Sequence, residues 1–133
     1  MLTCATRRRT SGRSTRGPAS PPSDHGPHGS IWNVPMPAAR PADEYVTALT
    51  RAIDAATRSW TPDLILASAG FDSLRGDPLG GFTLELEHVD ILTRQLVDRA
   101  SAWCNGRLVS ALEGGYVPDR LGDACVTHMR ALL

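Results

Sequence analysis

Between Leu2 and Ile31 the chain carries almost no large apolar side chain, and from Ile31 onward such residues return in three rounds of one plan. Each round is a short apolar run followed by a stretch with helical spacing, which predicts a βαβαβα order. The first predicted strand is Ile31 to Val34, stopped by Pro35 and Pro37; its helix runs from about Ala42 to Trp60, with Tyr45, Leu49, Ile53 and Ala56 on one face. Pro62 ends that helix, because the residue before a proline is disfavoured in the α region. The second strand, Leu64 to Ala67, is apolar throughout, as expected of a strand covered on both faces of a parallel sheet. A loop with Gly70, Gly76, Pro78, Gly80 and Gly81 leads to a helix from about Leu86 to Cys104, closed by Asn105 and Gly106. The third strand spans Arg107 to Leu112, and a last helix begins near Pro118.

This pattern predicts an α/β fold class, a partial parallel sheet with its helices, over residues 30–133. Residues 1–29 are rich in Ser, Thr, Arg, Gly and Pro, bury too little to offset the entropy of ordering, and are expected to form a disordered tail. In parallel α/β sheets, ligands bind beyond the carboxyl ends of the strands. Two loops qualify, Ser68 to Gly81 and Glu113 to Val117.

Composition changes this picture little. With 133 residues, 41% hydrophobic and 21% charged, the chain is sized for one globular domain. The zero net charge hides an asymmetry: residues 1–30 hold five arginines against Asp24 alone, while the remainder holds nine against thirteen acids. The acidic remainder offers no face for phosphates, so no specific nucleic-acid partner is expected; the basic tail alone fits nucleic-acid contact or a transit peptide. Cys4, Cys104 and Cys125 form no CxxC pair, which disfavours both a disulfide framework and a thiolate zinc site. No apolar run reaches the roughly 20 residues that span a bilayer, so a cytoplasmic location without membrane contact is the expectation.

Within the two loops, Asp72 is an acid at the mouth of a strand, suited either to hold a ligand or to cap a turn. Tyr116 follows two glycines that let backbone pass close to a bound molecule, or it packs at the sheet edge. Asp77, just before Pro78, reads as a turn former, and Glu113 as a loop acceptor or a site residue. Asp24, His25 and His28 resemble a metal cluster only by composition, since no helix or strand would hold them. His88 and His128 fall on helices and are expected to face solvent. Glu85 stands where a Ser or Thr helix cap is expected, at about 1 kcal/mol if nothing substitutes. No phosphate loop and no Ser-His-Asp or Cys-His arrangement can be read from spacing.

Leu64-Ile-Leu-Ala-Ser-Ala-Gly-Phe-Asp-Ser-Leu-Arg-Gly-Asp-Pro-Leu-Gly-Gly81, followed by Gly106-Arg-Leu-Val-Ser-Ala-Leu-Glu-Gly-Gly-Tyr116, resembles the C-terminal portion of the histone deacetylase, acetylpolyamine amidohydrolase and acetoin-utilisation superfamily. The likeness is strongest to its class II-like and bacterial members, and Ile31 to Pro37 resembles the preceding strand and turn. It covers about residues 26–133. The resemblance implies an arginase/deacetylase-like fold and removal of acetyl groups from acetyl-lysine or acetylpolyamine. It implies Zn2+ as cofactor, with Asp72 as one metal ligand and Tyr116 as the catalytic residue whose hydroxyl binds the amide carbonyl. Leu79, Gly114 and Gly115 would line the substrate tunnel. The family's other two zinc ligands and its paired general acid–base histidines have no counterpart here, and residues 1 to about 23 match no family segment, as after an alternative start or a frameshift. The expectation is therefore a truncated C-terminal fragment, inactive alone, with a noncatalytic remnant or interaction module as the second reading. A nucleotide-binding domain ranks last.

Overall fold

The computed structural model describes Thr3–Ala5 and residues 30–133. The order of elements is β1 (Thr3–Ala5), α1 (Ala42–Ala56), β2 (Ile65–Ala69), a 3-10 turn (Phe71–Ser73), α2 (Leu86–Cys104), β3 (Leu108–Leu112) and α3 (Pro118–Leu132). The sheet runs β1-β2-β3. β2 and β3 are parallel, from Ile65 opposite Leu108 to Ala69 opposite Leu112, while β1 joins β2 antiparallel. The predicted α/β plan holds, but its first strand does not. Ile31 to Val34 is not assigned as a strand, and the edge of β2 is taken by Thr3–Ala5. The rest of the predicted tail lies outside the described residues.

Each helix ends for a local reason. α1 stops at Ala56, short of Trp60, where the backbone tightens, Arg58 N–H donating to Ala55 O at 3.4 Å, and side chains meet the last carbonyls: Thr57 Oγ1 donates to Ile53 O at 2.8 Å and Trp60 Nε1 to Ala56 O at 2.6 Å. α2 ends in left-handed backbone at Asn105 (φ 52°) and Gly106 (φ 74°), as the Asn-Gly pair predicts. At its start Glu85 and His88 form a capping box: the Glu85 side chain accepts from the His88 N–H and His88 Nδ1 accepts the Glu85 N–H at 3.1 Å, so Glu85 substitutes for the expected Ser or Thr cap. The Glu85 carboxylate also takes Arg120 Nη2 from α3 and Arg75 Nε from the preceding loop, each at 2.6 Å. These hydrogen bonds, Arg120's first, hold its carboxyl below the usual range.

The core lies on one face of the sheet. Ile65, Ala67 and Ala69 of β2 are buried there against α2 and α3, in clusters that include Leu74, Leu84, Val89, Ala100, Cys104 and Ala124. Burial of apolar area at about 25 cal/mol per Å² is what holds these layers. The opposite face is open: Leu66 is 42% exposed and Val109 54%. The expectation that β2 is covered on both faces is therefore corrected. Its continuous apolar run marks a strand with a second apolar face that the described residues leave uncovered.

His88 and His128 are buried, contrary to the expectation of solvent exposure. His88 is consumed by the helix start, with Asp43 of α1 3.7 Å from Nε2. His128 joins three elements: Nδ1 lies 2.7 Å from Thr93 Oγ1 of α2, and Nε2 lies 2.8 Å from Ser110 Oγ of β3. Thr93 gives its own hydroxyl proton to Val89 O at 2.7 Å, so it must accept from His128 Nδ1–H. In the neutral imidazole Ser110 Oγ then donates to Nε2. Burial pushes the His128 pKa down. For a depressed folded pKa, the contribution to stability is full above the unfolded value near 6.5 and is lost as pH falls below it toward the folded value. The chain should therefore unfold at lower denaturant at about pH 5 than at about pH 7.5, and His128→Gln should flatten that difference. An undiminished difference in the variant would assign it to other groups.

Candidate active site

Asp72 and Tyr116 stand on one rim of the sheet because β2 and β3 are adjacent, parallel and in register to their last residues. Asp72 lies just past Ala69, in the 3-10 turn, and Tyr116 just past Leu112. Two backbone bonds clamp the loops at their roots, Glu113 N–H to Ala69 O at 3.0 Å and Phe71 N–H to Gly114 O at 2.7 Å. The turn is held from below by buried Phe71, whose ring meets His128 edge-on at 5.8 Å, and by Ser73, whose hydroxyl donates to Gly70 O at 3.3 Å.

Three glycines give this region its shape, each by a different contact. A Cβ on Gly114 would lie 2.8 Å from Asp72 Oδ2, so the carboxylate occupies space that any side chain would fill. A Cβ on Gly80 would lie 1.6 Å from the Asp72 carbonyl oxygen. Gly115 has φ 137°, and a Cβ there would press on Leu121. The expected tunnel residues thus meet the site differently. Gly114 touches Asp72, Gly115 packs toward α3, and Leu79 is an exposed apolar side chain in the loop that follows Asp72. Tyr116 is half exposed, leaving its ring on the surface of the rim.

Sequence reasoning missed two contacts of the site, Tyr45 beside Asp72 and Asp77 on the Tyr116 amide. Tyr45 of α1 packs beside Phe82 with ring centroids 4.9 Å apart, and its phenol is pushed up by burial and then by the negative charge of Asp72. It thereby places a hydroxyl-bearing ring near the Asp72 charge; its position on the apolar face of α1 was legible, its neighbour was not. Asp77 forms the predicted turn, with Oδ1 accepting from Leu79 N–H at 2.9 Å and Gly80 N–H at 3.2 Å. Its Oδ2 also accepts from Tyr116 N–H at 2.8 Å. Partial desolvation opposes ionisation of Asp77, but the hydrogen bonds from Tyr116, Leu79 and Gly80 outweigh it and hold the carboxyl below its ordinary range. Glu113 is exposed.

As a metal donor set the rim fits only in part. Asp72 offers an anionic oxygen facing the gap that Gly114 leaves. Among the described residues no group of three His, Cys, Asp or Glu converges on one point, and a zinc site needs at least three protein ligands. Asp24, His25 and His28 lie outside the described residues. Cys104 and Cys125 are unpaired, and Cys104 Sγ contacts Arg107 O at 3.3 Å. No helix among the described residues is long and apolar enough to cross a membrane.

Comparison with known proteins places these features. Residues 16–132 match a family model for the histone deacetylase domain, so the match includes residues 16–23, which the motifs alone had left outside. Type-2 histone deacetylase 1 of Dictyostelium discoideum is 38% identical over 104 residues, 78% of this chain and 7% of that protein. Histone deacetylase 18 of Arabidopsis thaliana is 34% identical over 102 residues, 76% of this chain and 14% of that protein. A crystal structure of the HDA15 HD domain superposes with a TM-score of 0.60 at 28% identity, over 68% of this chain and 25% of that one. The chain spans a small part of the relatives it matches.

Proposed function

Since this chain belongs to the histone deacetylase domain family, we propose that Asp72 and Tyr116 are its contribution to a zinc-dependent site that removes acetyl groups from acetyl-lysine or acetylpolyamine. The observation that supports it is the shared rim: a carboxylate and a phenol, the types this chemistry needs, on loops clamped together beyond two parallel strands. Asp72 would be one ligand of the metal. Zinc, when bound by a full set, polarises an amide carbonyl and acidifies a water molecule. Tyr116 would donate its hydroxyl to the substrate carbonyl oxygen, where negative charge grows as the carbon becomes tetrahedral. Leu79, with the side-chain-free backbone at Gly114 and Gly115, would border the channel for an extended acyl-amine chain. The unpaired cysteines suit a reducing cytoplasm.

We further propose that the described residues do not complete the site by themselves, because one carboxylate cannot hold zinc against water. The remaining ligands and the proton-transfer histidines would come from a segment matching the rest of the family domain. The open face carrying Leu66 and Val109 is consistent with such a neighbour.

The test is zinc content after dialysis and hydrolysis of acetyl-lysine and acetylpolyamine reporters. It compares the chain alone with the chain joined to the N-terminal part of a relative's deacetylase domain. The chain alone is expected to hold well under one equivalent of zinc and to turn over neither reporter; the joined form should gain both properties. In it, Asp72→Asn should lower zinc occupancy at least tenfold, a neutral amide being a poor substitute for an anionic oxygen. Full zinc and turnover in that variant would reject the assignment. A joined form that folds, binds zinc and stays inert would favour a noncatalytic interaction module.

A further inference from the structure

Asp77 spans the two loops of the rim. It is buried, 8% exposed, and divides its two oxygens between different parts of the chain. Oδ1 closes a turn onto Leu79 and Gly80, within its own loop. Oδ2 reaches the backbone N–H of Tyr116 in the loop after β3, 39 positions away, at 2.8 Å. Gly80, held by Oδ1, lies directly against the Asp72 carbonyl, where a Cβ would sit 1.6 Å away. A continuous path therefore runs from the Asp72 backbone through Gly80 and the Asp77 carboxylate to the Tyr116 backbone.

We propose that Asp77 is a positioning residue, whose single carboxylate fixes the Tyr116 backbone relative to the loop that carries Asp72. Without this bond, the Tyr116 segment is anchored at Gly114 and again where α3 begins at Pro118, with Gly115 at φ 137° between them. A tyrosine that must aim its hydroxyl at one carbonyl gains from a backbone that cannot drift, since misplacement by about 1 Å can lower a rate about a hundredfold. The catalytic meaning of the tie rests on the proposed roles of Tyr116 and Asp72; the tie itself does not.

The chemistry of asparagine separates the two jobs of this carboxylate. In Asp77→Asn the side chain would keep one acceptor oxygen, and asparagine forms the same kind of turn, but its second atom is an NH2 donor that cannot accept the Tyr116 N–H. The asparagine variant should therefore keep the turn and cut the tie, whereas Asp77→Ala removes both. Amide hydrogen exchange, followed by NMR on the 133-residue chain, reads the difference.

In Asp77→Asn the Tyr116 amide should exchange roughly ten- to hundredfold faster, while Leu79 and Gly80 keep their rates and so do Leu96 and Ala124 in the helical core. In Asp77→Ala, Leu79, Gly80 and Tyr116 should all speed up. A turn-only role would leave Tyr116 unchanged in the asparagine variant, and general destabilisation would move Leu96 and Ala124 in step with it; either result overturns the proposal. Should the variants fail to fold, the wild-type chain still decides, by through-hydrogen-bond scalar coupling between the Tyr116 amide nitrogen and Asp77 Cγ. Its absence also overturns the proposal. None of these readouts needs turnover, so an inert joined form with a released Tyr116 amide would sink the deacetylase reading and leave the positioning role standing.

Discussion

Gly80→Ala is expected to destabilise the chain by about 3 kcal/mol or more, at or beyond the upper end for a methyl group forced into a packed site. The reason is what the methyl would meet. An ideal Cβ at residue 80 falls 1.6 Å from the Asp72 carbonyl oxygen and 2.7 Å from its carbon, and both are backbone atoms with no rotamer to escape into. Gly80 has no left-handed φ, so the penalty is one of space. Relief requires the two strands of the loop to part, which would strain the Gly80 N–H bond to Asp77 and the Leu74 to Leu84 bridge behind it. Urea unfolding monitored by far-ultraviolet circular dichroism measures the effect. Gly122→Ala is the matched control: Gly122 lies inside α3 with nothing within 4 Å of its would-be Cβ, so alanine there should stabilise by about 0.5–1 kcal/mol. Equal effects at the two positions would mean that the close approach at Gly80 does not exist in solution.

Tyr116→Phe is expected to lower kcat for an acetyl-lysine reporter by roughly 10²–10³-fold in the joined form, with zinc content nearly unchanged. The substitution removes one hydroxyl from a half-exposed ring and leaves the backbone bond to Asp77 intact, so folding should hardly respond. A hydroxyl that binds the carbonyl equally well before and during reaction would alter KM alone. One aimed at the developing oxyanion alters kcat, because its bond strengthens as charge builds. Loss of one such donor is worth about 2.7–4 kcal/mol of barrier. Unchanged turnover in the phenylalanine variant would remove Tyr116 from the chemistry; loss of zinc along with turnover would place its role at the metal instead. The contrast with Asp72→Asn, which should empty the metal site first, assigns the two residues to different steps.

Local signals determined much of this chain. The βα rounds after residue 60 are set by short-range physics: an apolar run of strand length, Asn105-Gly106 at a left-handed helix end, and Pro118 at a first helical turn. The placement of Asp72 and Tyr116 beyond parallel strands follows from the same order of elements, because a helical crossover that returns the chain to a parallel strand puts both carboxyl ends on one rim. The turn at Asp77 was legible too, since an Asx turn is a contact among sequence neighbours.

Tertiary structure alone decided the rest, wherever a partner lies far along the chain. Ile31 to Val34 has strand composition but is not a strand, and the place beside β2 is held by Thr3–Ala5, a pairing across more than 60 positions that no local pattern shows. His88 and His128 looked like surface residues because helical spacing shows a face but not what covers it. Glu85 at N-cap and His88 at N3 form the usual reciprocal capping pair from unusual residue types, which no composition rule flags. The second oxygen of Asp77 finds Tyr116 only after β2 and β3 have paired. A side chain's local hydrogen bonds are written in its neighbours, but a bond across 39 residues exists only once folding has met the entropy of closing that loop.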